Sequence, residues 1–578
     1  MNKYDAITLS RPFFIPVLLL GLAACGGGGG PATEAPPAPE LKMQPQAVKT
    51  LHFTWNDVEG ETEYRLQENP DGVSGFNTVA TLDADSVEQD WSIFLPDRVN
   101  ARYLLQACNA AGCSDSNEVS LDAAALTQAI GYLKAGNAGG DDRFGHAIAV
   151  SGDGTTLAVG AAFEDSAMTG VIQGEGNAQD DDAPDSGAVY VFVRDGTQWR
   201  QQAYIKASNG ESEDYFGVSV AISDDGQQLV VGASGEDGNG VAGQNDNSMS
   251  GSGAVYVFTR NAAAWSQSAY LKASSPDQQD YFGRALALSG DGGTLAVGAY
   301  GQVYSGAAYV FIQSVNGWVQ QAHVEPSNME VGDLFGSSLA LSENGNLLAV
   351  GAPEEDGDGS DPDNNAASGA GAVYVFQRQG SGWSQEAYIK AEATTNLFQD
   401  SIAGDHFGAA VALSASGNRL AVGAQYEDSV FDTTPDSGAV YVFDRYALAA
   451  NIVSWEQQAY IKPLAAIESE DRFGGALSLS ADGRTLAVGV NGEDSSSIGL
   501  NGDESDNSRQ QSGAAYLFKE EQGEWSQKAY IKASNTAEVD VFGASIALSA
   551  DGSVLAIGAG EEDGEQDAIG GSGAVYLY

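Results

Sequence analysis

Phe282-Gly283-Arg284-Ala285-Leu286-Ala287-Leu288-Ser289 alternates small and apolar side chains behind an aromatic–glycine pair. A short glycine turn leads to Leu295-Ala296-Val297-Gly298-Ala299, and a loop then leads to Gly306-Ala307-Ala308-Tyr309-Val310-Phe311. Short apolar runs of period two, bounded by glycine, read as strands. The same phrase recurs at Phe144, Phe216, Phe335, Phe407, Phe473 and Phe542, the seven copies being spaced by 72, 66, 53, 72, 66 and 69 residues. Complete copies close with a tryptophan and a fourth run, such as Trp199-Arg200-Gln201-Gln202-Ala203-Tyr204-Ile205-Lys206. Four strands per unit, repeated seven times, predict an all-β fold with a seven-bladed β-propeller over 128–578.

The ends of the array give a separate check. The last copy stops at Ala574-Val575-Tyr576-Leu577-Tyr578, its third strand, while an orphan run Gly131-Tyr132-Leu133-Lys134-Ala135 precedes the first Phe-Gly. Tyr132 stands twelve residues before Phe144, as Tyr204 stands before Phe216. The first run is therefore expected to complete the last blade, which closes the ring and removes open edges.

Composition narrows the function. The 578 residues carry 26 Lys+Arg against 79 Asp+Glu, a net charge of −53, with 43% hydrophobic residues. Such a chain can bury cores but repels phosphate backbones, so nucleic acid is not an expected partner. Only 4 His and 5 Met accompany 73 Gly, which suits turn-rich β structure. No Ser/His/Asp set and no phosphate-cradling Gly-Lys-Ser/Thr loop stands out, and the chain is not expected to be an enzyme. His146 and His406 flank their Phe-Gly pairs without a partnering nucleophile, and His323 occupies a strand slot that holds Tyr204 or Tyr270 elsewhere.

The N-terminus indicates export. Lys3 and Arg11 precede an apolar run, Pro12 to Leu20, too short to span a bilayer as a helix. It ends in Leu22-Ala23-Ala24-Cys25, which resembles the lipobox of bacterial lipoproteins. That resemblance implies a signal peptide over 1–24, lipidation of Cys25 and a membrane anchor. Since Gly26 follows in place of an Asp, the outer membrane is the expected site. Glycines and prolines over 25–47 read as a tether. Cys108 and Cys113 then remain in an oxidising compartment around Asn109-Ala110-Ala111-Gly112, a hairpin-like tip, and are expected to form a disulfide.

Residues 48–121 hold short strand-like runs, among them Leu51 to Trp55, Glu63 to Leu66 and Arg102 to Ala107. With Trp55 in an early strand, Tyr64 in the next, and Tyr103, Ala107 and Asn109 to Gly112 late, the segment resembles a fibronectin type III domain. The resemblance implies a small β-sandwich with Trp55 and Trp91 in its core, serving as a spacer or docking module.

The repeats themselves resemble FG-GAP repeats, the units of integrin α-subunit propellers, on motifs such as Phe216-Gly217, Val231-Gly232-Ala233 and Gly253-Ala254-Val255-Tyr256. Family members that bind calcium carry an Asp-x-Asp-x-Asp-Gly loop between the first two strands. The corresponding turns here, such as Ser151-Gly152-Asp153-Gly154 and Ser342-Glu343-Asn344-Gly345, are too short and too poor in carboxylates for that cage. The Asp two positions before each Phe, Asp142 for example, occurs in every copy and reads as an acceptor fixing a turn.

What breaks the repeat is the loop between second and third strands. Six loops open with Glu-Asp: Glu164-Asp165, Glu236-Asp237, Glu355-Asp356, Glu427-Asp428, Glu493-Asp494 and Glu562-Asp563. The seven loops carry a single base, Arg509, and strand alternation gathers them on one face as an acidic crown. Three readings stay open: solvation, divalent-cation binding with calcium foremost, and capture of a basic partner. For calcium the fourth loop offers Asp356, Asp358 and Asp361 in Asp356-Gly357-Asp358-Gly359-Ser360-Asp361. The third loop is only Tyr300-Gly301-Gln302-Val303-Tyr304 and leaves a notch. Together these features give the expectation of a lipid-anchored envelope protein with a monomeric propeller that binds a protein or glycan partner, adhesion being the leading sense. The alternative is a propeller enzyme acting on envelope polymers or glycans.

Overall fold

The computed structural model describes residues 34–578 apart from 122, 241–242, 360–363, 392–402, 429–433, 450–451, 464–467 and 565–568. The fold is all-β apart from short helical turns, and four-stranded antiparallel sheets dominate it. A representative sheet runs Phe216–Ile222, Gln228–Ala233, Ala254–Asn261 and Ala264–Leu271, in that spatial order. Its second strand is buried on both faces, which explains a continuous apolar run where a half-solvated strand would alternate. Phe216 packs edge-on against Tyr256 at 5.4 Å, so the aromatic of Phe-Gly belongs to the core of its blade.

The glycines explain the rest of the motif. Neighbouring blades approach so closely that a Cβ on Gly232 would sit 2.0 Å from the carbonyl oxygen of Gly283 in the next blade. The same contact passes round the array and returns, since a Cβ on Gly558 would lie 2.2 Å from the carbonyl oxygen of Gly145. First strands contact one another in succession and so line a central channel.

At one end of that channel the turns between first and second strands form a ring of main-chain hydrogen bonds. The N–H of Asp153 donates to Asp224 O (3.2 Å), Asp224 to Gly290 O (3.0 Å) and Gly290 to Glu343 O (3.0 Å). Glu343 donates to Ala415 O (3.0 Å), Ala415 to Ala481 O (3.0 Å), Ala481 to Ala550 O (2.8 Å), and Ala550 back to Gly152 O (3.2 Å). The strand Gly131–Leu133 pairs antiparallel with Ala574–Leu577, placing Tyr132 opposite Tyr576 and completing the sheet from the other end of the chain.

The N-terminal part consists of one sheet of Leu41–Gln46, Thr50–Trp55 and Glu88–Ser92, and a second built on Asn77–Asp83, Glu63–Asn69, Arg102–Asn109 and Gly112–Asp115. Phe53, Trp55, Tyr64 and Tyr103 are buried between them, and Trp91 is half-buried against the same core. The disulfide Cys108–Cys113 joins directly opposed residues of a hairpin. The tether boundary at residue 47 is corrected: Leu41–Gln46 is already an edge strand, which tolerates Pro45 because an edge position needs no N–H on its outer side.

This part sits on the channel end that carries the main-chain ring. Lys49 is buried there with its ammonium donating to the Ser553 carbonyl, and burial lowers its pKa to about 7. Asp97 pairs with Lys519, and Arg194 donates to Ser92 Oγ at 3.2 Å. The acidic loops start from the opposite channel end, and the sixth runs back along its blade to bring Asn501 beside Pro70 and Asp71 of the N-terminal part.

Candidate functional site

The Glu-Asp pairs that open six loops are clamps. Glu164 is buried; its Oε1 accepts from the Tyr204 hydroxyl at 2.7 Å and its Oε2 from Lys206 Nζ at 2.6 Å. The same ammonium donates to Ser186 Oγ at 2.7 Å. Equivalent ion pairs join Glu236 to Lys272 (2.8 Å), Glu355 to Lys390 (2.7 Å), Glu427 to Lys462 (2.5 Å), Glu493 to Lys532 (2.6 Å) and Glu562 to Lys134 (2.6 Å). Burial lowers the lysine pKa values of Lys206, Lys272, Lys390 and Lys532 despite their glutamates. Each pair is thus an internal bond tying the loop start to the fourth strand.

The aspartates tie down the loop ends. Asp165 Oδ1 accepts from Asp185 N (2.8 Å), Asp237 from Gly251 N (2.8 Å) and Asp356 from Gly369 N (2.8 Å). Asp428 accepts from Asp436 N (2.9 Å), Asp494 from Gln511 N (2.7 Å) and Asp563 from Gly571 N (2.8 Å). The expectation that these twelve residues form metal sites therefore meets carboxylates already engaged in protein bonds. Asp358 accepts from Asn364 Nδ2 at 2.8 Å, and Asp361 lies outside the described residues. Among the described residues, the carboxylates close enough to share one ion are Asp57, Glu61 and Asp85, in the N-terminal part and far from the crown loops in the chain. The recurrent Asp before Phe-Gly behaves as a turn acceptor, Asp142 taking Gly139 N at 2.6 Å and Asp214 taking Glu211 N at 2.9 Å.

Blade three departs from the clamp in every member. Gln302 stands in the glutamate slot, His323 in the tyrosine slot and Glu325 in the lysine slot. His323 Nε2 meets Gln302 Oε1 at 3.0 Å and its ring stacks on Tyr309 at 4.6 Å. With the loop cut to five residues, a cleft of about 390 Å³ opens beside it, lined by Asp277, Asp280, Tyr281, Tyr300, Val303 and Leu334 among others. The two tyrosine rings stack at 5.4 Å, and Val303 is 65% exposed.

The cleft adjoins the crown end of the channel. Residues immediately before Phe-Gly turn the chain into the first strand with positive φ in all seven copies, Arg143 at 55° and Tyr281 at 54° for example. This backbone need is independent of the side chain, so the position is free to vary: Arg143, Tyr215, Tyr281, Leu334, His406, Arg472, Val541. Two residues after Phe, the first strands present His146, Val218 and Arg284 on one arc and Ser337, Ala409, Gly475 and Ala544 on the other. Phe163 lies 4.6 Å beneath the Arg143 guanidinium, 5.7 Å from His146 and 5.5 Å from Tyr215. Arg143 also pairs with Glu561 at 3.0 Å. Burial, then the charges of Arg284 and Arg143, hold His146 down at about 4, so its imidazole is neutral. The Arg284 backbone N–H donates to the carbonyl of Tyr281 at 3.1 Å, which joins channel rim to cleft. Sequence reasoning set His146 aside and missed Arg284, Tyr281 and Tyr300; the available signal was that these positions vary from copy to copy inside a repeat whose other positions recur.

At the other channel end, Asp224 and Glu343 break the pattern again, where the remaining turns place Gly or Ala. They flank Gly290 and line a cavity of about 190 Å³ whose walls include Leu288, Leu341 and Leu413. Burial and then Glu343 raise the pKa of Asp224.

These features define a β-propeller in which six loops share one clamping chemistry, blade three departs from it, and the blades differ at the channel mouths. The chain carries FG-GAP repeats: that family matches residues 199–258, 265–311, 318–376, 383–443 and 525–578. No curated protein gives a sequence match. Similar solved structures include a putative 6-phosphogluconolactonase from Bacteroides uniformis (11% identity, 75% of this chain and 92% of that one, TM-score 0.39). Others are the periplasmic gluconolactonase PpgL of Pseudomonas aeruginosa (12%, 82% and 98%, TM-score 0.38) and Sqt1 of Chaetomium thermophilum (15%, 73% and 82%, TM-score 0.38).

Proposed function

We propose that the chain is a lipid-anchored cell-envelope binding protein of the outer membrane, in which a fibronectin type III-like sandwich holds a seven-bladed propeller whose crown face engages a protein or glycan partner, adhesion being the leading sense. The observation that carries this reading is the cleft at blade three, where the one short loop exposes Tyr281, Tyr300 and Val303 amid clamped neighbours. Loops clamped at both ends around an aromatic and apolar notch suit recognition, because the notch walls lose little conformational entropy on binding. Orientation supports it too. The sandwich, which follows the tether, docks on the face opposite the crown and so directs the crown away from an anchor at Cys25. Calcium, if it assists, acts at loop tips beyond the clamps.

The test uses the full chain displayed on cells. Tyr300→Ala combined with Val303→Asp is expected to abolish binding to partner surfaces while the melting temperature holds, and unchanged binding would overturn the reading. Cys25→Ser is expected to release the protein from membranes. An enzymatic second reading has its own observation, the Asp224 and Glu343 pair in the opposite mouth. Turnover of an envelope glycan that is lost in Asp224→Asn would favour it.

A further inference from the structure

We propose that the crown mouth of the channel, together with the blade-three cleft, binds a carboxylate-bearing sugar residue of a glycan, with Arg284 holding the carboxylate. This deepens the binding-protein reading above and rests on it.

Arg284 is singular in its surroundings. The chain carries a net charge of −53, and Arg143 on the same rim is paired with Glu561. Arg284 is exposed, and among the described residues no carboxylate pairs with it; its backbone N–H donates to the carbonyl of Tyr281 in the cleft wall at 3.1 Å. An unpaired guanidinium next to a cleft presents a planar donor fork matched to a carboxylate.

The neighbouring groups select what carries that carboxylate. His146 has no hydrogen-bond partner for its ring among the described residues, and a neutral imidazole offers one donor and one acceptor, as a sugar hydroxyl requires. Tyr281 and Tyr300 line the cleft as a stacked pair, a surface for the apolar face of a pyranose ring. The small residues Ala409, Gly475 and Ala544 on the far arc leave the mouth open. The cleft, at about 390 Å³, falls in the size range of small-ligand sites. Around it the acidic crown, with Asp277 and Asp280 in the cleft wall itself, repels dense polyanions, which leaves glycans with sparse carboxylates as the fitting class, the carboxylate standing at Arg284 and the sugar hydroxyls at the aspartates.

Isothermal titration of the purified full-length protein in detergent decides the matter. The probes are a tetrasaccharide containing glucuronate, its glucose-only counterpart, and a short uncharged peptide with a free C-terminal carboxylate. The glucuronate probe is expected to bind at least tenfold more tightly than either of the others. Arg284→Gln is expected to bring it down to the glucose-only level, and Arg284→Lys to recover only part, since an ammonium lacks the fork. Both variants alter an exposed side chain, and an unchanged melting temperature verifies the fold. Equal affinity for the two sugars, tighter binding of the peptide, no binding of the glucuronate probe, or indifference to Arg284→Gln would each overturn the proposal. If cells remain bound in a manner sensitive to Tyr300→Ala with Val303→Asp while the glucuronate probe fails, this inference falls and the binding-protein reading stands.

Discussion

Lys206 and Glu164 show how much of one blade rests on two atoms. Both side chains are almost fully inaccessible, at 1% and 3%. Replacing Lys206 with Met leaves a buried carboxylate uncompensated and is expected to cost about 3 kcal/mol of stability in denaturant unfolding. Adding Glu164→Gln should restore part of the loss, because the orphaned charge is then removed; a double variant as unstable as the single one would refute the clamp. Titration of the repeated aspartates acts at the same scale. Burial raises Asp142, Asp214 and Asp471 to about 7 and Asp280 and Asp333 to about 6. A carboxyl held above its unfolded value binds its proton more tightly in the folded state. Its contribution is therefore complete below about pH 4 and lost as pH rises through 6 to 7. His146, lowered to about 4, works in the opposite sense between pH 4 and 6.5. With five groups against one below pH 7, the melting temperature is expected to fall between about pH 5 and pH 7, where Lys49, lowered to about 7, starts to act in the opposite sense, and Asp214→Asn should flatten that slope. The clamps were partly legible in the sequence. Blade three loses Glu, Tyr and Lys together, as Gln302, His323 and Glu325, and such joint loss marks partners. Read singly, Glu-Asp in a glycine-rich loop looks like solvated charge, since Lys206 lies 42 residues from Glu164.

The strand Gly131–Leu133 carries more than its length suggests. It supplies the outer partner of Ala574–Leu577, and Lys134 just beyond it clamps Glu562. Deleting residues 128–136 is expected to expose an unpaired edge and unclamp the last loop, with aggregation on size exclusion and a large fall in melting temperature. Monomeric protein melting like the intact chain would show that closure lies elsewhere. The hairpin bridged by Cys108–Cys113 is a smaller case. A loop this short gains about 2 kcal/mol from restricting the unfolded chain, so reduction should destabilise the N-terminal part by that order in unfolding monitored by tryptophan fluorescence. Strands were the most legible level of the molecule, because period-two runs such as Leu286 to Leu288 and buried runs such as Leu295 to Ala299 need only local sequence. The strand Leu41–Gln46 was not, because Pro45 and the glycines and prolines before it carry the composition of a linker, and only pairing with Thr50–Trp55 makes it a strand.

A net charge of −53 sets the behaviour of the whole molecule. Screening should ease self-repulsion, so sodium chloride is expected to raise the melting temperature, and calcium at matched ionic strength should add to that only if loop tips bind it. Identical curves would assign the crown to solvation. The main-chain ring at the sandwich end of the channel has a consequence of another kind. Peptide groups alone join the turns there, from Asp153 round to Gly152, so selection for a closed circle cannot see the side chains at those positions. Of the positions on the circle, Ala415, Ala481 and Ala550 are letters the architecture leaves unread, whereas a Cβ at Gly152 or Gly290 would stand 2.7 or 2.2 Å from the Asp224 carboxylate. Evolution can rewrite these three alanines one at a time, and homologues should drift there faster than at Gly152, Gly290 or the glycines joining neighbouring blades. An engineer could likewise install histidines at 415, 481 and 550 and expect the circle to hold.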